Sequence, residues 1–157
     1  MTSSVEIIAK EENWTLTRHR NLAIVNWRRK PLHEQEKRII TGLRTMAAAP
    51  DRPTLHVLVV VEATAQAPDT EVRSAMQDDI RAMGRQVGSL SALLLAEGFI
   101  AAAVRAALTG MNAILRQSFA IKVFGNAADT AAWLAPMLGG GFTAGDVISA
   151  IEQTRRA

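Results

Sequence analysis

The sequence predicts a single α/β domain built on a mixed, mostly parallel five-stranded sheet, with an N-terminal hairpin, crossover helices and an extra C-terminal helix. Three observations carry this expectation. "TLHVLVVVE" (residues 54–62) and "SLSALLLAE" (residues 89–97) are near-continuously apolar, the pattern of strands covered on both faces. The stretches around them repeat apolar residues every three or four positions, as amphipathic helices do. Strand and helix thus alternate, which favours parallel strands joined by right-handed crossovers.

Residues 5–10 and 14–18 read as two short strands or one bent strand. "LAIVNWR" (residues 22–28) is a stronger strand, rich in β-branched and aromatic residues, and "RHRN" supplies the hairpin turn before it. In "KPLHEQEKRIITGLRTM", Leu32, Ile39, Ile40, Leu43 and Met46 share one helical face, with charge opposite and Pro31 at an early helical position. "APDRP" breaks the chain before the first buried strand. The next helix runs from about Asp69 to Val87, with Val72, Met76, Ile80 and Met83 at helical spacings. After the second buried strand, a long helix is expected from Phe99 to about Arg116, then a strand at "FAIKVF" and a helix at "NAADTAAWLAPML". The glycines at 139–141 end that helix. "TAGDVISAIEQTRR" closes the chain as an amphipathic helix, with Thr143 and Asp146 forming a capping box. The expected organisation is an α/β unit over residues 1–138, followed by a glycine joint and helix over 139–157 that packs on or near the same unit.

At 157 residues, 48% hydrophobic and 21% charged, the chain suits one globular domain with a real core. It has no cysteine, which excludes disulfides, thiolate nucleophiles and cysteine metal sites. The net charge of +3 is spread along the chain, so no nucleic acid is expected as a partner. "MTSSVEIIAKEENW" lacks a basic start leading into an apolar stretch, and a cytoplasmic location is expected. The longest apolar tract is interrupted by Glu97, Gly98 and Arg105, so no membrane span is expected.

"FAIKVFGNAADTAAWL" (residues 119–134) resembles the last strand and helix of STAS domains, the fold of anti-sigma-factor antagonists and sulfate-transporter tails. The order of elements is similar over most of the chain. The resemblance implies a regulatory, protein-interacting module. In the anti-sigma antagonists, the junction between the first buried strand and its helix carries a phosphorylatable serine in an Asp-Ser-Ser-Gly-like motif. Here that junction reads "EATAQAPDTEV", which has no Ser-Gly pair and only Thr64 and Thr70 as hydroxyls. A phosphate on Thr70 would be repelled by Asp69 and Glu71. The phospho-switch is therefore not carried over, and the junction reads as a connection that can also wall a cleft.

Glu62 and Glu97 end the two buried strands and should leave the same sheet edge, where ligands of open α/β sheets bind. With Thr64, Asp69 and Asn126 they define a candidate ligand or partner cleft, and Asp129 lies beside them in sequence. His33 and Glu36 lie one helical turn apart, but the surface-helix reading is preferred to a ligand pair. His56 is expected to satisfy a backbone or solvent contact. The basic residues of "TRHRN" and "WRRK" read as charge protecting an edge strand. The helix from Phe99 is apolar over most of its circumference: Ile100, Val104, Ala107, Met111 and Leu115 form one face, and Ala102, Ala106 and Gly110 form a stripe of small residues. Phe99, Ala102, Ala106, Gly110 and Met111 are thus candidates for a self-association interface or an apolar pocket. No catalytic constellation, metal-ligand set or cofactor motif is found, and no cofactor is expected. The leading expectation is a non-enzymatic regulatory or protein-interaction module, with a protein partner or a second copy of the chain. The alternative is a domain binding a small apolar ligand or lipid, and an enzyme using Glu62 and Glu97 ranks last.

Overall fold

A computed structural model describes residues 4–50, 53–83, 86–98, 101–103, 105–106 and 120–157. Its strands are β1 (Glu6–Lys10), β2 (Trp14–His19), β3 (Leu22–Trp27), β4 (Leu55–Val61), β5 (Val87–Leu94) and β6 (Ala120–Phe124). Its helices are α1 (His33–Ala47), α2 (Thr70–Met83), α3 (Ala127–Leu138) and α4 (Ala144–Arg156), with residues 101–103 and 105–106 also helical. The sheet has six strands in chain order, one more than the sequence predicts. The opening stretch is two strands and not one bent strand, because the chain reverses at Glu11, whose backbone N–H and C=O bond across to Trp14.

β1, β2 and β3 are antiparallel. β3, β4, β5 and β6 are parallel. The two oily strands lie side by side and point the same way, Val57 against Leu90 and Val61 against Leu94. β5 begins at Val87, a residue the sequence places in the preceding helix, and it ends at Leu94, short of Ala96.

Side chains alternate along each strand and divide the core between the two faces of the sheet. Trp14, Leu16, Val25, Trp27, Leu55, Val57 and Leu90 pack with Ile39, Ile40, Leu43 and Met46 of α1 and with Met83 of α2. Leu22, Ile24, Leu58, Val60 and Leu93 pack on the other face, against Ala131, Leu134 and Leu138 of α3 and Val147, Ala150 and Ile151 of α4. The result is a helix–sheet–helix sandwich.

Polar bonds fix the second helical layer. Thr154 of α4 gives its hydroxyl proton to the Ala150 carbonyl, so Thr17 of β2 is the donor in the buried 2.6 Å bond to Thr154. Asn21 donates to the Leu138 carbonyl at 3.1 Å, satisfying the end of α3. Gly139, Gly140 and Gly141 follow with φ of 64°, 60° and 79°, a left-handed run that only glycine adopts without strain. It turns the chain so that α4 folds back on the sheet. Thr143 then caps α4 as expected: its hydroxyl accepts from the Asp146 N–H at 3.1 Å, and Asp146 accepts from the Thr143 N–H at 2.9 Å. The backbone bond from Thr143 leads the influences that hold the exposed Asp146 carboxyl below its usual range.

Among the described residues, no helix is long and apolar enough to cross a membrane.

Candidate functional site

Two places in this frame hold chemistry: a polar cluster at the carboxyl edge of the sheet, and an apolar cleft beneath α1 and α2.

Glu62 follows β4 directly, and alternation sends its side chain to the α4 side of the sheet. Arg155 of α4 grips it with both arms, Nε to Oε1 at 2.6 Å and Nη2 to Oε2 at 2.9 Å. Asn26 of β3 donates a third bond at 3.0 Å. Burial alone would raise the Glu62 carboxyl, but these bonds and the charges of Arg155 and Arg28 outweigh it and hold the group below its usual range. The same bond holds the Arg155 guanidinium above its usual value. Arg28 reaches the Thr15 hydroxyl at 2.8 Å, the Asn26 side-chain oxygen at 3.0 Å and the Glu11 carbonyl at 2.9 Å. It is therefore a structural arginine at the end of an interior strand, not a charge guarding an edge. The edge strands are β1, which covers β2, and β6.

The other residues assigned to this cleft are also engaged. The Thr64 hydroxyl donates to the Arg28 carbonyl at 2.7 Å. Asp69 pairs with Lys30 at 2.7 Å. Asn126 caps α3, accepting from the Asp129 N–H at 2.8 Å. Glu97 lies beyond the end of β5 and is exposed. The hydrogen bonds of Glu62 run to Asn26 and Arg155, away from Glu97.

The apolar cleft is a site the sequence reading did not locate. One cavity, of about 130 Å³, lies between the sheet and the loop 65–68 that leads into α2, bounded by Val61, Ala65, Pro68, Ala92 and Ala103, with Gln66, Arg73, Gln77 and Ser91 also on its walls. A second, of about 60 Å³, lies deeper under α1 and is bounded by Glu36, Ile40, Leu43 and Met83. Trp27, Val59, Met76, Ile80 and Leu90 line both, so the two form one cleft. The space exists because α2 buries only Val72 and Met83, whereas α1 buries five residues. The junction 62–69 thus contributes its small residues to the wall of this apolar cleft, while Glu62 and Thr64 line a separate polar pocket with Arg28, Arg155 and Arg156.

Glu36 is the polar group in the deeper cavity. It is 2% exposed, and no donor reaches either carboxyl oxygen. Burial pushes its pKa up to about 8, and Asp79 of α2 pushes the same way, by hydrogen bond and by charge; Arg44 and Lys37 oppose them. A protonated Glu36 can donate to Asp79, whose other partner is Arg44 at 3.3 Å. Glu36 is therefore not on the solvated face that the sequence reading assigned to it. Leu32 is the converse: taken as part of the apolar face, it is 49% exposed. The reason is local. Leu32 is the N-cap residue with extended backbone (φ −106°, ψ 154°), so its side chain leaves the helical face and the inward position of the first turn falls to Glu36.

His56 is buried and shares a 2.7 Å bond with the Ser89 hydroxyl of the neighbouring strand, not with backbone or solvent. Burial lowers its pKa, so the ring is held neutral within the sheet. Of the residues proposed for an interface or pocket, Phe99, Gly110 and Met111 lie outside the described residues, as do Ile100, Val104, Ala107 and Leu115. Ala102 and Ala106 are exposed.

No protein-family model and no curated protein matches this sequence. Among solved structures, an uncharacterised protein of the DUF3478 family from Shewanella loihica PV-4, described as having a SpoIIAA-like fold, aligns with a TM-score of 0.58 and 14% identity. The alignment covers 85% of this chain and 98% of that one. The chain thus has the SpoIIAA-like fold, which is the STAS-like fold expected from its order of elements.

Proposed function

We propose that this protein is a binding module for a small apolar ligand, held in the cleft between the sheet and α2. The observation that carries this reading is the pair of adjoining cavities that share Trp27, Val59, Met76, Ile80 and Leu90 as a common wall. Apolar cavities of about 150 Å³ stay dry and take up benzene-sized molecules, so the larger part of this cleft suits one ring or a short alkyl chain. A void this size forfeits contacts that a ligand would restore. Entry requires α2 to lift, and its few buried anchors make it the helix to do so.

A second reading, a regulatory module that binds a protein partner or a second copy of itself, is supported by the fold and by the exposure of Ala102 and Ala106 one helical turn apart. The absence of cysteine supports a reducing, cytoplasmic setting for either role.

Ethylbenzene, titrated into the protein with melting temperature as readout, tests the first reading. A saturable rise in melting temperature is expected, since a ligand at about 100 times its Kd adds about 2.7 kcal/mol. No rise at aqueous saturation would remove the ligand reading. Light scattering over a range of concentrations tests the second, which predicts a species heavier than one chain or capture of a partner.

A further inference from the structure

We propose that the ligand of this cleft carries a cationic, hydrogen-bond-donating head, a primary amine on an apolar body, and that Glu36 is the residue that recognises it. The inference rests on the apolar-ligand reading and names the class of ligand.

Glu36 lines the deeper cavity at 2% exposure, and neither of its oxygens receives a hydrogen bond. Among the described residues, every other side chain lining that cavity belongs to an apolar residue or to Trp27. A buried acceptor without a donor is costly, and the cost is recovered by whatever brings the donor. None of the described residues brings one. Arg44, whose charge is felt at Glu36, is engaged with Asp79 at 3.3 Å. Lys37 lies on the exposed side of α1. The sheet side of the cavity offers Val25, Val57 and Leu90. An apolar cleft that ends in a buried carboxyl whose neighbour is another acid, Asp79, and whose oxygens receive no hydrogen bond matches a molecule with an apolar body and a donor at one end.

The charge of the head follows from the neighbours. A carboxylate head in the deeper cavity would set a third acid beside Glu36 and Asp79, whereas the cation Arg73 lines only the outer cavity. An alcohol brings one donor, whereas an ammonium brings three and a compensating charge. In the empty cleft Glu36 holds its proton at neutral pH, since burial and Asp79 push its pKa to about 8. An ammonium displaces that proton to solvent, leaving a carboxylate–ammonium pair. Amine affinity therefore rises with pH up to about 8, by up to about tenfold per unit.

The test uses the full chain and three ligands of similar shape: benzylamine, ethylbenzene and phenylacetate, titrated by calorimetry at pH 6, 7 and 8. Benzylamine is expected to bind at least about tenfold more tightly than ethylbenzene at pH 8, with the advantage shrinking towards pH 6. In Glu36→Gln the advantage should collapse while ethylbenzene binding persists. Equal affinities in the wild type, a preference for phenylacetate, or an amine advantage that survives Glu36→Gln would overturn the proposal. Binding of ethylbenzene without amine preference removes only this inference, whereas binding of none of the three removes the ligand reading with it. Should Glu36→Gln fail to fold, the wild-type comparison and its pH slope still decide.

Discussion

Glu36 occupies a position where α1 would ordinarily carry an aliphatic side chain, between the sheet and α2. Its neutrality has a consequence for stability that does not depend on any ligand. The carboxyl titrates near its ordinary value of 4.5 in the unfolded chain and at about 8 when folded. Between those values the folded protein holds a proton that the unfolded chain has released. Stability is therefore full below pH 4.5, falls as pH rises, and levels off above 8, with a slope of up to about 1.4 kcal/mol per unit. Glu36→Gln removes the titrating group and keeps its shape. The variant is expected to lose the fall in melting temperature that the wild type shows as pH rises from 5 to 8, keeping the rise below pH 6.5 that buried His56, with its lowered pKa, contributes; parallel curves would show that Glu36 is charged and solvated. The sequence did carry a signal for this residue. Glu36 stands three and four positions before Ile39 and Ile40, within the apolar stripe of α1. As an acid it reads as part of the solvated face, and here residue type and spacing point opposite ways. The reverse error at Leu32 has the same origin, since periodicity does not say where helical dihedrals begin.

At the scale of elements, the features that could be read in advance are those closed within a few residues. The capping box at the start of α4 is one, because Thr143 and Asp146 meet across a single turn. Thr143→Ala removes the acceptor for the Asp146 N–H, and a loss of about 1 kcal/mol is expected. It should appear as a lower urea midpoint with an unchanged slope. No loss would mean that the start of α4 is held by packing of Val147 alone. The bidentate pair between Arg155 and Glu62 was not legible, because it depends on α4 folding back across β2 and β3 after the glycine turn. Likewise the strand count failed at β1 and β2. A β-bulge sits between Ile7 and Ala9, so the alternation that would mark a separate strand is interrupted there. The boundary between α2 and β5 failed for a related reason: Met83 and Val87 are both apolar and both buried, and a four-residue spacing between them extends the helical pattern into the strand.

The whole molecule is a sheet clamped unevenly. The parallel pairing of β4 and β5 followed from the two uninterrupted apolar runs, because such strands need cover on both faces. What the runs could not show is how well each face is covered. On one face α3 and α4 bring Ala131, Leu134, Val147 and Ile151 into close contact with Leu22, Leu58 and Leu93. On the other, α2 stands off the sheet over a void of about 130 Å³ beside Ala92. This difference can be measured with the same substitution on each side. Ala131→Leu on the filled face adds three carbons where none fit, and a loss of about 1–3 kcal/mol is expected. Ala92→Leu adds them where space exists, so the protein should be as stable as the wild type or slightly more so. It should also lose the thermal response to ethylbenzene, because the side chain takes the ligand's place. Urea denaturation of both variants separates the cases. If Ala92→Leu is as damaging as Ala131→Leu, both faces are equally packed and there is no room for a ligand beneath α2.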